Sequence, residues 1–293
     1  MAKNTLEKGS IEYRSRVFLN IRRVVAYAVL IFSCILALFP FVMLIINATR
    51  NHAQITSGIS FIPGTSLLEN LNSVLSDDNI PMLSSLFNSF IIAGGSCLLS
   101  VYFSALTAYG LFAYNFRLKK PAFVFIMLIM MVPTQVSALG FISMMTDWGL
   151  YNTFVPLILP SIAAPAVFFF IKQYMEGSLP MEIVEAGRID GGHEFYIFNF
   201  IVLPIVKPAM AVQVIFTFVT SWNNYFLPAM LLESKERRTL PIVIATLRSA
   251  SFDNFDMGKI YIMLAIAIVP LIVVYLCLSK YIIRGIALGS VKG

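Results

Sequence analysis

The sequence predicts an all-α protein that crosses a membrane six times, with both termini in the cytoplasm. Three observations carry this expectation. The 293 residues are 58% hydrophobic and only 12% charged, whereas soluble domains are about 45–50% apolar and about 25% charged. Apolar runs of the length a bilayer demands, ~20 residues, alternate with short polar connections. Lysine and arginine gather in alternate connections, as the positive-inside rule requires of cytoplasmic loops. The 25 phenylalanines and 14 methionines suit lipid-facing and helix-packing surfaces. The net charge of +6 does not point to nucleic acid. Its cations flank apolar segments, where they set topology and meet anionic lipid headgroups. Cys34, Cys97 and Cys277 all lie inside apolar runs without metal spacing, and read as small buried residues. His52 and His193 are far apart in loops, so no metal site is expected.

The first 23 residues are polar and basic, with Lys3, Lys8, Arg14, Arg16, Arg22 and Arg23. They resemble the charged start of a signal peptide, but the following apolar run is too long and lacks a cleavage site. Val17 to Ile21 mixes apolar residues with Asn20, which fits a short interfacial helix in a cytoplasmic segment 1–23. A six-helix domain is expected over 24–284, followed by a flexible cytoplasmic tail, 285–293. Segment one is about Val24–Ile46. Asn47–Ser84 is a polar outside loop in which Arg50 is the one strong cation. Segment two, about Leu86–Tyr114, repeats Ser96, Ser100, Ser104 and Thr107 every three or four residues. Close helix packing explains that face slightly better than pore lining does.

A basic turn with Arg117, Lys119 and Lys120 leads to segment three, about Pro121–Ser143. Pro133 frees a backbone carbonyl there and is expected to kink the helix. Gln135 is costly in lipid and should face protein or a pathway. Asp147–Asn152 is a short outside turn, and segment four, about Thr153–Ile171, is made irregular by Pro156, Pro160 and Pro165. Segment five, about Val206–Met230, carries the clearest polar stripe: Gln213, Thr217, Thr220, Ser221 and Asn224. It serves either as polar glue between helices or as a pathway of hydroxyls and amides for a neutral hydroxylated solute. Leu232–Gly258 is a second outside loop whose Lys235, Arg237, Arg238 and Arg248 break the positive-inside pattern. Segment six is about Ile260–Leu278, and Lys280 and Arg284 mark its cytoplasmic end.

Between segments four and five lies a polar island, about 178–204. Ser178 is placed to cap a short helix, with Pro180 in its first turn and Glu182 and Glu185 near its positive end. Gly191-Gly192 forces a bend. A second helical pattern, with Phe195, Phe198 and Val202, runs to Pro204. This helix, turn and helix at a membrane surface suit docking into a partner's groove. No charged residue lies centrally in any span, so a proton relay is disfavoured. No Walker A loop is present to bind nucleotide. The energy for transport must then come from a partner.

The island reads Glu185-Ala186-Gly187-Arg188-Ile189-Asp190-Gly191-Gly192, followed by Ile201-Val202-Leu203-Pro204. It resembles the EAA loop of permease subunits of binding-protein-dependent ABC importers, with Gly187 and Gly192 where alanine is usual. Gly187 is expected to weaken the first helix by about 1 kcal/mol, leaving the loop to lean on its partner for order. The likeness extends over roughly Phe87–Gly293 through Asn88-Ser-Phe, Met131–Val136, Trp148–Thr153, Ser221–Pro228 and Ile283–Gly293, in the manner of MalG-type carbohydrate permeases.

The resemblance implies a type I importer permease in a bacterial inner membrane. It implies a MalF-type permease partner, two cytoplasmic ATPase subunits that hold ATP and Mg, and an extracytoplasmic solute-binding protein. This chain would bind no cofactor and catalyse no reaction. The resemblance places ATPase coupling on Glu185, Ala186, Gly187, Asp190, Gly191, Gly192, Phe195 and Phe198. The polar stripe and Gln135 would line the pathway. Arg248, Phe252, Asn254 and Phe255 would form either a contact for the binding protein or a plain solvated loop. Competing readings are an importer for another solute class, a membrane-embedded enzyme, and a non-transporting assembly subunit.

Overall fold

The computed structural model describes residues 2–249 and 255–289, by backbone alone over 2–21 and 282–289. Every regular element among them is helical. In chain order these are α1 (Ala2–Ala48), α2 (His52–Thr56), α3 (Leu67–Leu75), α4 (Met82–Ala113), α5 (Lys119–Ile129), α6 (Thr134–Asp147) and α7 (Val155–Ile158). There follow α8 (Pro165–Ser178), α9 (Met181–Ile189), α10 (Glu194–Tyr196), α11 (Leu203–Trp222), α12 (Phe226–Leu231), α13 (Leu240–Arg248) and α14 (Met257–Gly289). Five helical stretches are long and apolar enough to cross a membrane, and α5 with α6, bent by 94°, makes a sixth if counted as one crossing. The expected interfacial helix is not separate, because α1 runs unbroken from Ala2 into the first span. Likewise α14 continues through Gly289, past the start of the expected tail, and the last four residues lie outside the described chain.

The chain divides into two compact units. The smaller comprises the chain up to Leu71 together with Met257–Ala265. Here the end of α1 leaves carbonyls without helical partners. The Asn70 amide donates to two of the carbonyls in this turn, Ala48 (3.0 Å) and Arg50 (2.9 Å). Arg50 is buried, and its guanidinium donates to Asn47 Oδ1 (3.2 Å), the Gly58 carbonyl (3.2 Å) and the Gln54 carbonyl. The lone cation of this polar connection is therefore a structural hub. Asn51 and Gln54 close a reciprocal capping box on α2.

The larger unit, Asn72–Asp256 with the rest of α14, is built around α4. Its serines explain themselves. The span after Thr153 is broken by its prolines into α7, a 3₁₀ turn at Leu159–Ile162, and α8. Such breaks free carbonyls that need donors. Ser96 Oγ donates to the Leu157 carbonyl (3.1 Å) and Ser104 Oγ to the Ala164 carbonyl (3.3 Å). Each such interhelical bond contributes roughly 0.6 kcal/mol. Gly95 lets the broken span approach, since a Cβ there would sit 3.0 Å from Ile158 Cγ2. Thr107, by contrast, is exposed and bonds back to its own helix at Phe103.

Segment five also differs from its expected bounds. The helix begins at Glu194 and continues past Pro204, which was expected to end it. A π-helical turn at Ile197–Val202 widens the backbone just before the proline. Asn199 supports that turn by donating to the Phe195 carbonyl (2.8 Å). The connection expected as a second outside loop is not irregular throughout: α13 packs on α4 through buried Leu240, Ile242 and Val243.

Candidate functional site

The polar island folds as the sequence predicts, a helix, a glycine turn and a helix, with one correction. Ser178 ends α8 rather than capping α9. Pro180 disfavours helical geometry at Leu179, which is extended (φ −107°, ψ 104°), so the break falls there and Pro180 itself precedes α9. The turn is a Schellman motif. Asp190 caps α9, Gly191 takes φ +80°, Gly191 N–H donates to the Arg188 carbonyl (3.0 Å) and Gly192 N–H to the Gly187 carbonyl (3.0 Å). His193 then caps the next helix, its Nδ1 accepting from Tyr196 N–H (3.2 Å).

The island has two faces. Glu185, Ala186, Asp190, Gly191 and Phe195 are exposed. With them, Ile189 is 86% exposed and Phe195 62%, an apolar pair at the tip that sequence reading credits only in part. The inner face is anchored. Phe198 is fully buried, its ring 5.7 Å from that of Tyr102 and 5.5 Å from that of Tyr109 on α4. Of the two phenylalanines in the expected coupling set, Phe198 therefore packs against the body and Phe195 faces outward. Three residues missed at the sequence level join the two faces. Arg188 Nε donates to Glu194 Oε1 (2.6 Å), Tyr109 Oη donates to Glu194 Oε2 (2.6 Å), and the guanidinium lies 5.2 Å from the Tyr114 ring centroid. The hydrogen bond that the guanidinium donates to the Glu194 carboxylate pushes the Arg188 pKa above its already high value.

The segment-five stripe converges on a cavity of about 580 Å³. Gln213, Thr217, Thr220, Ser221 and Asn224 all line it, joined by Ser96, Thr134, Ser137 and Ser161. No charged residue is among the lining groups. Gln213 is 5% exposed, and among the described residues its amide has no hydrogen-bonding partner. Gln135 is not among the residues that line this cavity. The bend before α6 turns Thr134, Ser137, Ala138 and Phe141 toward the cavity and leaves Gln135 exposed on another face.

At the opposite end of α4 the polar connections are clasped together. Asn88 donates to the carbonyls of Glu236 (2.8 Å) and Arg238 (3.0 Å), and Ser89 Oγ accepts from Leu240 N–H (2.8 Å). Asn152, at φ 56°, accepts from Glu233 N–H (3.1 Å) and Ser234 N–H (3.2 Å). Lys235 and Arg237 donate to the carbonyls of Asp78 and Asn152. Two of the four cations that break the positive-inside pattern are thus used on backbone. Arg248 is exposed at the end of α13 and Phe255 is half-buried. Phe252 and Asn254 lie outside the described residues.

The family model described as the binding-protein-dependent transport system inner membrane component matches residues 100–288, a range that holds the whole island and most of the cavity lining. The chain belongs to this family. It is accordingly a multi-pass inner-membrane transport subunit, not an enzyme. A permease of this kind works with a partnering permease, an ATPase and a binding protein.

Among its relatives is the arabinooligosaccharides transport system permease protein AraQ of Bacillus subtilis, 32% identical over 88% of this chain and 92% of that protein. The lactose transport system permease protein LacG of Rhizobium radiobacter is 30% identical over 92% and 96%. The fold matches a chain of a bacterial ABC transporter involved in import of the acidic polysaccharide alginate, with a TM-score of 0.77 and 21% identity over 89% of this chain and 96% of that one.

Within the family pattern, the two glycines that stand for alanine have a packing cause. A Cβ at Gly187 would lie 3.0 Å from Ile201 Cδ1 and 3.3 Å from Ile197 Cγ1. One at Gly192 would lie 2.9 Å from the Gly187 carbonyl oxygen and 3.3 Å from Ile197 Cγ1. At Gly187 the isoleucines of the returning helix occupy the space of the missing methyl, and at Gly192 the Gly187 carbonyl does so together with Ile197.

Proposed function

We propose that this chain is one permease half of an ATP-driven importer of sugars or oligosaccharides. Its termini and island lie in the cytoplasm. The exposed tip of the island, from Glu185 to Phe195, docks on one of two ATPase subunits, which hold ATP and Mg. A MalF-type permease completes the pathway, and an extracytoplasmic binding protein delivers solute to the opposite end, where Arg248 and Phe255 lie. The observation that carries the solute class is the cavity beneath the stripe, whose polar lining groups are hydroxyls and amides set among apolar side chains, with no charged residue. Arabino-oligosaccharides and lactose, the solutes in the names of two relatives, are neutral and hydroxylated. Hydroxyl and amide groups match such solutes because each unpaired buried donor or acceptor would otherwise cost about 1–3 kcal/mol.

The test is co-purification from mildly solubilised membranes, with the chain intact and with Glu185→Ala/Gly191→Pro. An ATPase and a second permease should accompany the intact chain, and the ATPase should be lost from the variant. Proline at 191 removes the N–H that closes the turn and cannot adopt φ +80°. Import of neutral oligosaccharides by the reconstituted complex should then exceed import of charged solutes of similar size. Purification of the intact chain alone would overturn the proposal.

A further inference from the structure

Resting on that reading, we propose that Arg188, Glu194 and Tyr109 form a positioning clasp that makes the coupling loop and the end of α4 move as one body. The ion pair closes the hairpin across its glycine turn, since Arg188 belongs to α9 and Glu194 opens the returning helix. The second carboxylate oxygen of Glu194 accepts from Tyr109, 85 positions earlier on α4. One carboxylate therefore ties three elements together at 2.6 Å on each oxygen. Neighbouring contacts act in the same sense. Phe198 is wedged against Tyr102 and Tyr109, and Tyr102 Oη donates to Asn199 Oδ1 (3.1 Å).

The far reach of the clasp follows from α4 itself. Ser96, on the same unbroken helix as Tyr109, lines the cavity and holds the Leu157 carbonyl of the broken span. Thirteen residues of helix separate Tyr109 from Ser96, roughly 20 Å. A displacement of the loop tip is thus delivered along α4 to the cavity wall, in parallel with the direct route into α11. Charge-assisted hydrogen bonds are the stronger kind and hold their geometry under load. A hairpin attached only by its connecting backbone would instead bend at Gly191 and dissipate the motion.

The experiment measures solute imported per ATP hydrolysed by the complete importer in vesicles. It compares the wild type with Tyr109→Phe, Glu194→Gln, Arg188→Glu and the exchange Arg188→Glu/Glu194→Arg. Tyr109→Phe removes a single oxygen and retains the ring packing, so it keeps the test open if a charge variant assembles poorly. The clasp predicts that the ratio falls roughly fivefold or more, the lower part of ordinary coupling strengths, in Tyr109→Phe and Glu194→Gln. The exchange should recover part of what Arg188→Glu loses. A merely structural role would lower the yield of complex, and with it import and hydrolysis in step, leaving the ratio unmoved. A wild-type ratio in Tyr109→Phe and Glu194→Gln therefore overturns the clasp. Absence of any ATPase from the wild-type complex would instead overturn the importer reading, so the two failures are told apart in one preparation.

Discussion

Single residues of the coupling loop show what local sequence can and cannot disclose. Gly191 was legible because a turn between two helical patterns requires a residue that tolerates positive φ, and it sits at +80°. Gly191→Ala should lower the stability of the loop by roughly 1–2 kcal/mol, read as a reduced thermal midpoint of the purified complex. Gly187 was legible only as a helix weakener. Its packing against Ile197 and Ile201 adds a term that spacing does not reveal. Gly187→Ala gains about 1 kcal/mol of helix propensity and loses a comparable amount to crowding, so its midpoint should change little. Adding Ile201→Val opens the space, and the double variant should then be more stable than wild type. Glu194 and Tyr109 escaped sequence reading altogether, because a contact across 85 positions has no local signature.

At the level of elements, Pro133, Pro160 and Pro165 fall at breaks as expected, whereas Pro204 lies inside a helix that continues past it. The serine stripe of α4 looked like a packing face. Ser96 and Ser104 donate to carbonyls that the interrupted span exposes, so the two patterns meet there, while Ser100 and Thr107 bond back to α4 itself. The connection between α12 and α13 gives a similar lesson. Its cations looked anomalous in a count of charges, yet Lys235 and Arg237 are tied to backbone carbonyls. Asn152 holds this connection through bonds to both Glu233 and Ser234. Asn152→Ala should destabilise it by about 2 kcal/mol, at roughly 1 kcal/mol per hydrogen bond. Hydrogen exchange at the amides of Glu233 and Ser234 should accelerate correspondingly, while exchange along α9 stays as it was.

For the molecule as a whole, composition and spacing disclosed a polytopic helical chain, with five helical stretches long enough to cross a membrane among the described residues and a sixth if α5 and α6 count as one. The cavity was written only as a stripe on one helix. Its other walls come from α4, α6 and the broken span, and Thr134, Ser137 and Ser161 had no reason to stand out before those elements were brought together. Gln213 is the most informative wall residue, 5% exposed and with no hydrogen-bonding partner for its amide among the described residues. Gln213→Leu should reduce import of neutral oligosaccharide about tenfold, the effect of losing roughly 1.4 kcal/mol of hydrogen bonding. The ATPase should still co-purify with this variant, because the exchange lies far from the docking face. Import at the wild-type rate would remove Gln213 from the pathway.

The right-angled break between α5 and α6 bears on how the chain is made. Eleven and fourteen residues of helix reach about 16 Å and 21 Å, and neither length covers the ~30 Å hydrocarbon layer. Neither piece can therefore enter lipid as an independent unit straight from the ribosome. The two pieces must cross as one bent unit, and the backbone groups freed at Met130–Pro133 need shelter from neighbouring protein rather than from lipid.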